Sequence, residues 1–124
     1  MAPRVYIVDD DGPVRKALRR LVKSAGYEVE TFTSAEDYLA GEPADAPACL
    51  VLDMRMPGMS GLDLQRAVKG TERDLPIVFI TGHGDEDARA QAMDGGAVAV
   101  LQKPLDGDGL LAAIARALGT SPQP

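Results

Sequence analysis

The sequence has few of the residues that build disulfides and zinc sites: it contains one cysteine, Cys49, and one histidine, His83. A single cysteine cannot form an internal disulfide, and this pair is too small a set for a zinc site with nitrogen and sulfur ligands. Because Cys49 lies beside Leu50 and Val51 in an apolar run, we expect a buried small hydrophobic residue rather than a reactive thiol.

Positive charge and long apolar runs are also scarce. Thirteen Lys and Arg residues against nineteen Asp and Glu residues give a formal charge of -6, which argues against a nucleic-acid surface within these residues. No run approaches the length of a membrane span, and no signal-peptide apolar region follows the N-terminus. These absences predict a soluble cytoplasmic protein without membrane contact, and the length of 124 residues predicts one domain.

Short apolar runs that resemble β-strands alternate with helical patterns along the chain. The runs are 5–8, 27–32, 48–52, 77–80 and 97–101. Glutamates on one side of the second run are typical of an edge strand. Strand and helix units joined by short loops predict an α/β fold with a five-stranded, doubly wound parallel sheet. The flavodoxin-like strand order 2-1-3-4-5 places the second strand at an edge.

Polar residues mark the starts of several predicted helices. Asp11, followed by glycine and proline, predicts the N-cap of the first helix. Ser34 and Ser60 each have an aspartate three residues later, which predicts capping boxes. Segment 85–94 is alanine-rich with a thin apolar face, so we expect it to be the helix that moves most readily.

Polar side chains lie where four of the predicted strands end. They are Asp9 and Asp10 after strand 1, Asp53 at the end of strand 3, Thr81 after strand 4 and Lys103 after strand 5. These strands are neighbours in the predicted order, and ligands bind at the carboxyl ends of strands in open parallel sheets. Each residue alone is more often structural, so the hypothesis of a site depends on all of them reaching one edge.

Three carboxylates in one cleft repel one another by about 4 kcal/mol per pair at about 4 Å, with an effective dielectric of about 20, unless a cation neutralises them. Carboxylate oxygens with access to water suit Mg²⁺ better than Ca²⁺ or zinc. Asp53 is alone on the central strand and is the candidate nucleophile toward a phosphoryl donor. Lys103 would pair with the phosphoryl oxygens, and Thr81 would donate a hydrogen bond to one of them.

Four motifs surround these residues: Val8-Asp9-Asp10, Leu52-Asp53-Met54-Arg55-Met56-Pro57-Gly58-Met59-Ser60-Gly61, Ile80-Thr81-Gly82-His83-Gly84 and Lys103-Pro104. In this order and spacing they resemble the motifs of response-regulator receiver domains of two-component signalling, over residues 4–118. The Thr-Gly-His-Gly loop, Pro13-Val14-Arg15 and Ser34-Ala35-Glu36 resemble FixJ-type transcriptional regulators in particular. We therefore predict a receiver domain at 1–118 and a C-terminal tail, or the start of a linker, at 119–124.

The resemblance implies a role for each group at the site. Asp53 would be the phosphoacceptor, receiving the phosphoryl group from the phosphohistidine of a sensor histidine kinase. Thr81 and Lys103 would be the hydroxyl and the lysine of the family's site, and the Lys103–Pro104 peptide bond would be cis.

The resemblance also implies a metal site. Asp10, Asp53 and the backbone carbonyl of Arg55 would hold Mg²⁺, with Asp9 acting mainly through a bound water. Arg55 and His83 lie two residues after Asp53 and Thr81, and we expect them to set the rate of phosphoryl hydrolysis.

Residues 85–118 correspond to the family's output surface, where phosphorylation promotes dimerisation or frees an effector. Val100 stands where the family commonly has a Tyr or Phe, so we expect the signal to pass through displacement of residues 81–85 and the following helix. The domain would phosphorylate itself from a donor and dephosphorylate slowly at most, without turnover as an enzyme. DNA binding would require a C-terminal effector after residue 124, which the FixJ resemblance favours.

Three alternatives compete with this interpretation. An aspartyl-nucleophile hydrolase of the haloacid-dehalogenase type needs an acid two residues after the nucleophile, where this chain has Arg55. A flavodoxin-like FMN binder needs a phosphate-binding loop after strand 1, where three aspartates would repel phosphate. A degenerate receiver that acts as a constitutive protein-docking module is the remaining alternative.

Overall fold

A computed structural model describes residues 3–44, 47–82 and 85–119 of the chain. Strands and helices alternate in the order β1 (Arg4–Val8), α1 (Gly12–Ser24), β2 (Glu28–Phe32), α2 (Ala35–Ala40), β3 (Ala48–Asp53), α3 (Gly61–Val68), β4 (Ile77–Thr81), α4 (Glu86–Asp94), β5 (Ala99–Gln102) and α5 (Gly107–Ala117). This alternation confirms the predicted α/β class. Within the described parts of the chain, no helix is both long and apolar enough to cross a bilayer.

The strands form one parallel sheet with the order β2-β1-β3-β4-β5, as predicted. The edge position of β2 is also confirmed, and Glu28 and Glu30 on this strand are exposed. The end of β1 pairs with Leu52, next to Asp53, and Asp53 itself pairs with Ile80. This register brings the C-terminal ends of β1, β3 and β4 to the same edge of the sheet.

The sheet separates two apolar cores, because its buried strands are apolar on both faces. On one face Leu50 and Leu52 of β3 lie in a cluster with residues of α2, α3 and α4. On the other face Cys49 and Val51 lie in a cluster with residues of α1 and α5. Cys49 is fully buried, as expected, and burial raises the pKa of its thiol to about 12.

Side-chain hydrogen bonds cap the N-terminal ends of α1, α2 and α3. The Asp11 side chain accepts from the Val14 N–H and caps α1, as predicted. A reciprocal capping box of Ser60 and Asp63 begins α3. At α2, Ser34 accepts from the Asp37 N–H, but the Asp37 carboxylate accepts from the Thr33 hydroxyl, so the predicted box is formed on one side only.

The boundaries of the elements differ from the sequence prediction by one or two residues, and the hydrogen bonds around α4 illustrate why. The Ala97 N–H donates to the Ala92 carbonyl, so Ala97 belongs to the turn after α4, and β5 begins at Ala99. Asp85 is the N-cap residue of α4 but makes no side-chain cap hydrogen bond, and the helix begins at Glu86.

Gly61 allows the start of α3 to lie directly against the end of β3. A Cβ at this position would lie 2.5 Å from the Asp53 carbonyl oxygen and 3.0 Å from the Phe79 ring. The Gly61 N–H donates to the Met54 carbonyl at 3.1 Å, so the loop that leaves Asp53 returns tightly to the strand. This contact fixes the backbone that carries Asp53.

Candidate functional site

Three carboxylates meet at the C-terminal edge of the sheet. Asp9 and Asp10 follow β1, Asp53 ends β3, and each offers an oxygen that lies within 4.8 Å of the others. Asp9 and Asp53 are buried, with exposed fractions of 1% and 7%, whereas Asp10 is exposed. The cluster therefore has a buried side and a side open to water.

The buried carboxylates are incompletely hydrogen-bonded. Asp9 Oδ1 accepts from the Asp11 N–H at 2.9 Å, but Asp9 Oδ2 is buried without a hydrogen-bond partner among the described residues. Asp53 Oδ1 accepts from the Arg55 N–H at 3.3 Å, which is long for an N–H···O bond. Buried polar atoms in folded proteins are nearly always paired, so these oxygens suit a cation.

Burial raises the pKa of Asp53 to about 6, and the negative charge of Asp9 adds to the effect. Burial likewise raises the pKa of Asp9. The positive charge of Lys103 opposes both changes. All-oxygen ligands, a solvent-facing side and crowded negative charge are the properties of a Mg²⁺ site, so the residues present fit that ion.

Lys103 follows β5, and its backbone N–H donates to the Thr81 carbonyl at 2.8 Å. The Lys103–Pro104 peptide bond is cis, which confirms that prediction. Val100, which replaces the aromatic residue expected by resemblance, is buried in the core and lies beside Phe79 in the sheet register.

Thr81 ends β4 and is buried, and its hydroxyl donates to Asp85 Oδ2 at 2.8 Å. The Arg55 Nε–H donates to both oxygens of the same carboxylate, at 2.9 and 3.0 Å, and its Nη2 also donates to Oδ1. Hydrogen bonds from Arg55 and then from Thr81 lower the pKa of Asp85 to about 2. In this arrangement the Thr81 hydroxyl is directed to Asp85.

Asp85 is not recognisable as a site residue from the sequence, where it is only the first residue of a predicted helical segment. The available signal was an acid four residues after Thr81 and immediately before the helix. That position favours an N-cap, but the Asp85 side chain binds Arg55, in the loop after β3, and Thr81, at the end of β4. His83, predicted to influence hydrolysis, lies outside the described residues.

Comparisons with known proteins agree with this geometry. Residues 5–115 match the family model of the response regulator receiver domain. The response regulator protein TodT of Pseudomonas putida is 47% identical over 119 residues, which are 96% of this chain and 52% of TodT. The transcriptional regulatory protein FixJ of Bradyrhizobium diazoefficiens is 40% identical over 114 residues, which are 92% of this chain and 56% of FixJ.

The crystal structure of FixJ-N superposes with a TM-score of 0.88 at 39% identity, and covers 96% of this chain and 95% of that one. The chain thus spans about half the length of the curated relatives it matches, TodT and FixJ. The resemblance inferred from the four motifs is confirmed. The chain belongs to the response-regulator receiver-domain family of two-component systems.

Proposed function

We propose that the chain is a phosphoacceptor switch that receives a phosphoryl group on Asp53 from a sensor histidine kinase in a Mg²⁺-dependent reaction. The observation that carries this proposal is the position of Asp53. Its carboxylate is buried at the carboxyl edge of the sheet, within reach of two other carboxylates, and its pKa responds to the nearby Lys103 charge. A buried carboxylate with a raised pKa beside charged partners is typical of a functional site.

In the proposed step a carboxylate oxygen of Asp53 attacks the phosphorus of the kinase phosphohistidine. The new P–O bond forms as the P–N bond breaks, and the electron pair remains on the imidazole nitrogen, which takes up a proton. Lys103 pairs with one phosphoryl oxygen, and the Thr81 hydroxyl donates to another after it leaves Asp85. The product is an acyl phosphate on Asp53 and a neutral imidazole on the kinase.

Asp10, Asp53 and the backbone carbonyl of Arg55 would hold the Mg²⁺ ion, with Asp9 contributing through water. The exposure of Asp10 supports this set, since Mg²⁺ in proteins keeps several water ligands. Asp9 Oδ2 has no hydrogen-bond partner in the described part of the chain, which supports a role for this carboxylate through a bound water. A Mg²⁺ ion held by these residues would neutralise the carboxylates and shield the incoming phosphoryl oxygens from their charge.

The domain, at residues 1–118, would act in the cytoplasm without turnover on an external substrate, and would lose its phosphoryl group slowly by hydrolysis. Arg55 and His83 would set the rate of that loss. Exchange of both residues should change the lifetime of the phosphorylated form, measured by intact mass spectrometry over time. An unaltered lifetime would contradict the proposed role of Arg55 and His83 in hydrolysis.

Phosphorylation would alter the surface formed by α4, β5 and α5, and so control dimerisation or an effector. Ala92 is the one residue of α4 that is buried, which supports displacement of this helix, while Val100 offers no aromatic ring to swing. TodT is named a response regulator and FixJ a transcriptional regulator, which supports transcriptional output through a domain beyond residues 119–124. Residues 120–124 lie outside the described part of the chain.

Acetyl phosphate with Mg²⁺ tests the central proposal directly. We expect intact mass spectrometry to detect one added phosphoryl group on the wild-type chain, and none on Asp53→Asn or after chelation of Mg²⁺. Asp94→Asn, which changes an exposed acid at the end of α4, is the matched control and should be phosphorylated normally. An unmodified wild-type chain that also fails to bind beryllofluoride with Mg²⁺ would favour the docking-module alternative.

A further inference from the structure

We propose that Asp85 is a positioning residue that stabilises the unphosphorylated conformation. Its carboxylate binds the Thr81 hydroxyl and the Arg55 guanidinium, so neither group is directed to Asp53. Phosphorylation would then have to remove both groups from Asp85. This inference rests on the proposed function, since it concerns the groups that would meet a phosphoryl group on Asp53.

The contact of Thr81 with Asp85 excludes a contact of Thr81 with a phosphoryl group. A hydroxyl carries one proton and donates to one strong acceptor at a time. The Thr81 hydroxyl donates to Asp85 at 2.8 Å. Its other acceptor, the Gly82 carbonyl, lies at 3.4 Å, which is long for a hydrogen bond from a hydroxyl. The two acceptors, Asp85 and a phosphoryl oxygen, therefore compete for the same proton.

Arg55 is held by the same carboxylate. A guanidinium binds a carboxylate or a phosphoryl group through its fork of N–H donors, so these two anions compete for it as well. The Arg55 side chain is 75% exposed while that of Asp85 is 5% exposed, so Asp85 is the fixed partner and Arg55 the one free to turn. Arg55 also lies only two residues after Asp53.

Asp85 connects these groups to α4. It precedes the first residue of the helix, where an aspartate usually caps backbone N–H groups. Here its carboxylate instead accepts hydrogen bonds from Arg55 and Thr81. Loss of these contacts would free the N-terminal end of α4 from the loop after β3 and from β4.

The opposite end of α4 is fixed to α3 by contacts that do not involve Asp85. Gln65 Nε2 donates to the Ala92 carbonyl at 3.0 Å, and Lys69 Nζ donates to the Gly95 carbonyl at 2.7 Å. A Cβ at Gly95 would lie 2.7 Å from the Gln65 amide, so these helices are in close contact. Release at Asp85 would therefore move the N-terminal turn of α4 about a fixed C-terminal end.

Asp85→Ala tests this inference, with Mg²⁺-dependent binding of beryllofluoride measured by calorimetry as the readout. We expect the variant to bind beryllofluoride about tenfold more tightly than wild type, because no hydrogen bond to a charged group has to be broken. Asp85→Asn keeps an acceptor for Thr81 but loses the ion pair, so its affinity should lie between the two. Asp87→Ala removes an exposed acid from the first turn of the same helix and should bind as wild type does.

A double-variant background distinguishes the proposed role from a general effect on stability. If Asp85 acts through its two partners, the gain from Asp85→Ala should disappear when Thr81→Ala and Arg55→Gln are already present. A gain that persists in this background, or an Asp85→Ala affinity equal to that of wild type, would overturn the inference. Failure of wild type itself to bind would instead refute the proposed function.

A measurement on the wild-type chain covers the case in which Asp85→Ala does not fold. The Arg55 Nε–H, assigned by its loss in Arg55→Lys, should exchange slowly with solvent in the free protein because Asp85 accepts from it. Addition of beryllofluoride and Mg²⁺ should shift the resonance of this N–H and change its exchange rate, because Asp85 is no longer its acceptor. Equal exchange in both states would contradict the proposed release.

Discussion

Replacement of Asp53 by asparagine should stabilise the folded domain at neutral pH and have little effect in acid. Burial, together with the charge of Asp9, raises the pKa of Asp53 from the ordinary value of 3.8 to about 6. The folded state therefore holds a proton on Asp53 more tightly than the unfolded chain does. The stability that this proton supplies is complete below about pH 4 and is lost as the pH rises through about 6.

The size of this effect follows from the pKa change. A rise from 3.8 to about 6 corresponds to about 3 kcal/mol of unfavourable free energy for the ionised, buried carboxylate. Asparagine has nearly the same shape and no charge, so Asp53→Asn should increase the free energy of unfolding by up to about 3 kcal/mol at about pH 8. At about pH 4 the difference between the two proteins should approach zero.

Urea unfolding followed by far-UV circular dichroism, with a chelator present, measures this difference at both pH values. Asp94→Asn removes one negative charge from an exposed acid at the end of α4 and is the matched control. Added Mg²⁺ should reduce the advantage of Asp53→Asn, because the ion stabilises the ionised carboxylate in the wild-type protein. A stabilisation of equal size at the two pH values, or a destabilisation at about pH 8, would refute this account of the carboxylate cluster.

Three further substitutions test the local structure around the site and in the core. Gly61→Ala should lower the free energy of unfolding by about 1–3 kcal/mol in urea titrations, because the new Cβ would lie 2.5 Å from the Asp53 carbonyl oxygen; an unchanged midpoint would contradict this close approach. Asp11→Ala removes the side chain that accepts from the Val14 N–H and should cost about 1 kcal/mol in thermal unfolding, while equal stability would show that the cap is unimportant. Tyr38→Phe should be neutral or stabilising by about 1 kcal/mol, since the Tyr38 hydroxyl is buried without a partner among the described residues; a clear loss of stability would reveal a missing hydrogen bond.

The sheet could be predicted from the sequence because each strand carries its own local pattern. The fully buried β4 lies in the interior of the sheet and the glutamate-bearing β2 lies at its edge, as their compositions require. Once the strand order is fixed, residues directly after parallel strands must lie at one edge. For this reason the positions of Asp9, Asp53 and Thr81 follow from topology alone.

The contacts of Asp85 could not be predicted in the same way. Local rules place an aspartate before a helix as an N-cap, and the sequence gives no measure of the competing partners. Arg55 lies thirty residues earlier in the chain, and it reaches Asp85 only because β3 and β4 are neighbours. The choice between a cap and an ion pair is made by tertiary structure, which local patterns do not contain.

The contacts of Asp85 have a consequence for how much signal reaches α4. Coupling between two sites is reciprocal, so the free energy that phosphorylation uses to open the Asp85 contacts equals the free energy by which those contacts oppose phosphorylation. A chain without Asp85 should therefore bind beryllofluoride tightly, yet binding should cause little further change in α4, because the N-terminal turn of this helix is already released. Hydrogen exchange in Asp85→Ala should be fast across residues 89–91, the first residues of α4 whose N–H groups make helical hydrogen bonds, and should change little when beryllofluoride is added. In wild type the same residues should change from slow to fast exchange. If the variant instead showed the full wild-type change on binding, α4 would receive the signal by a route that does not pass through Asp85.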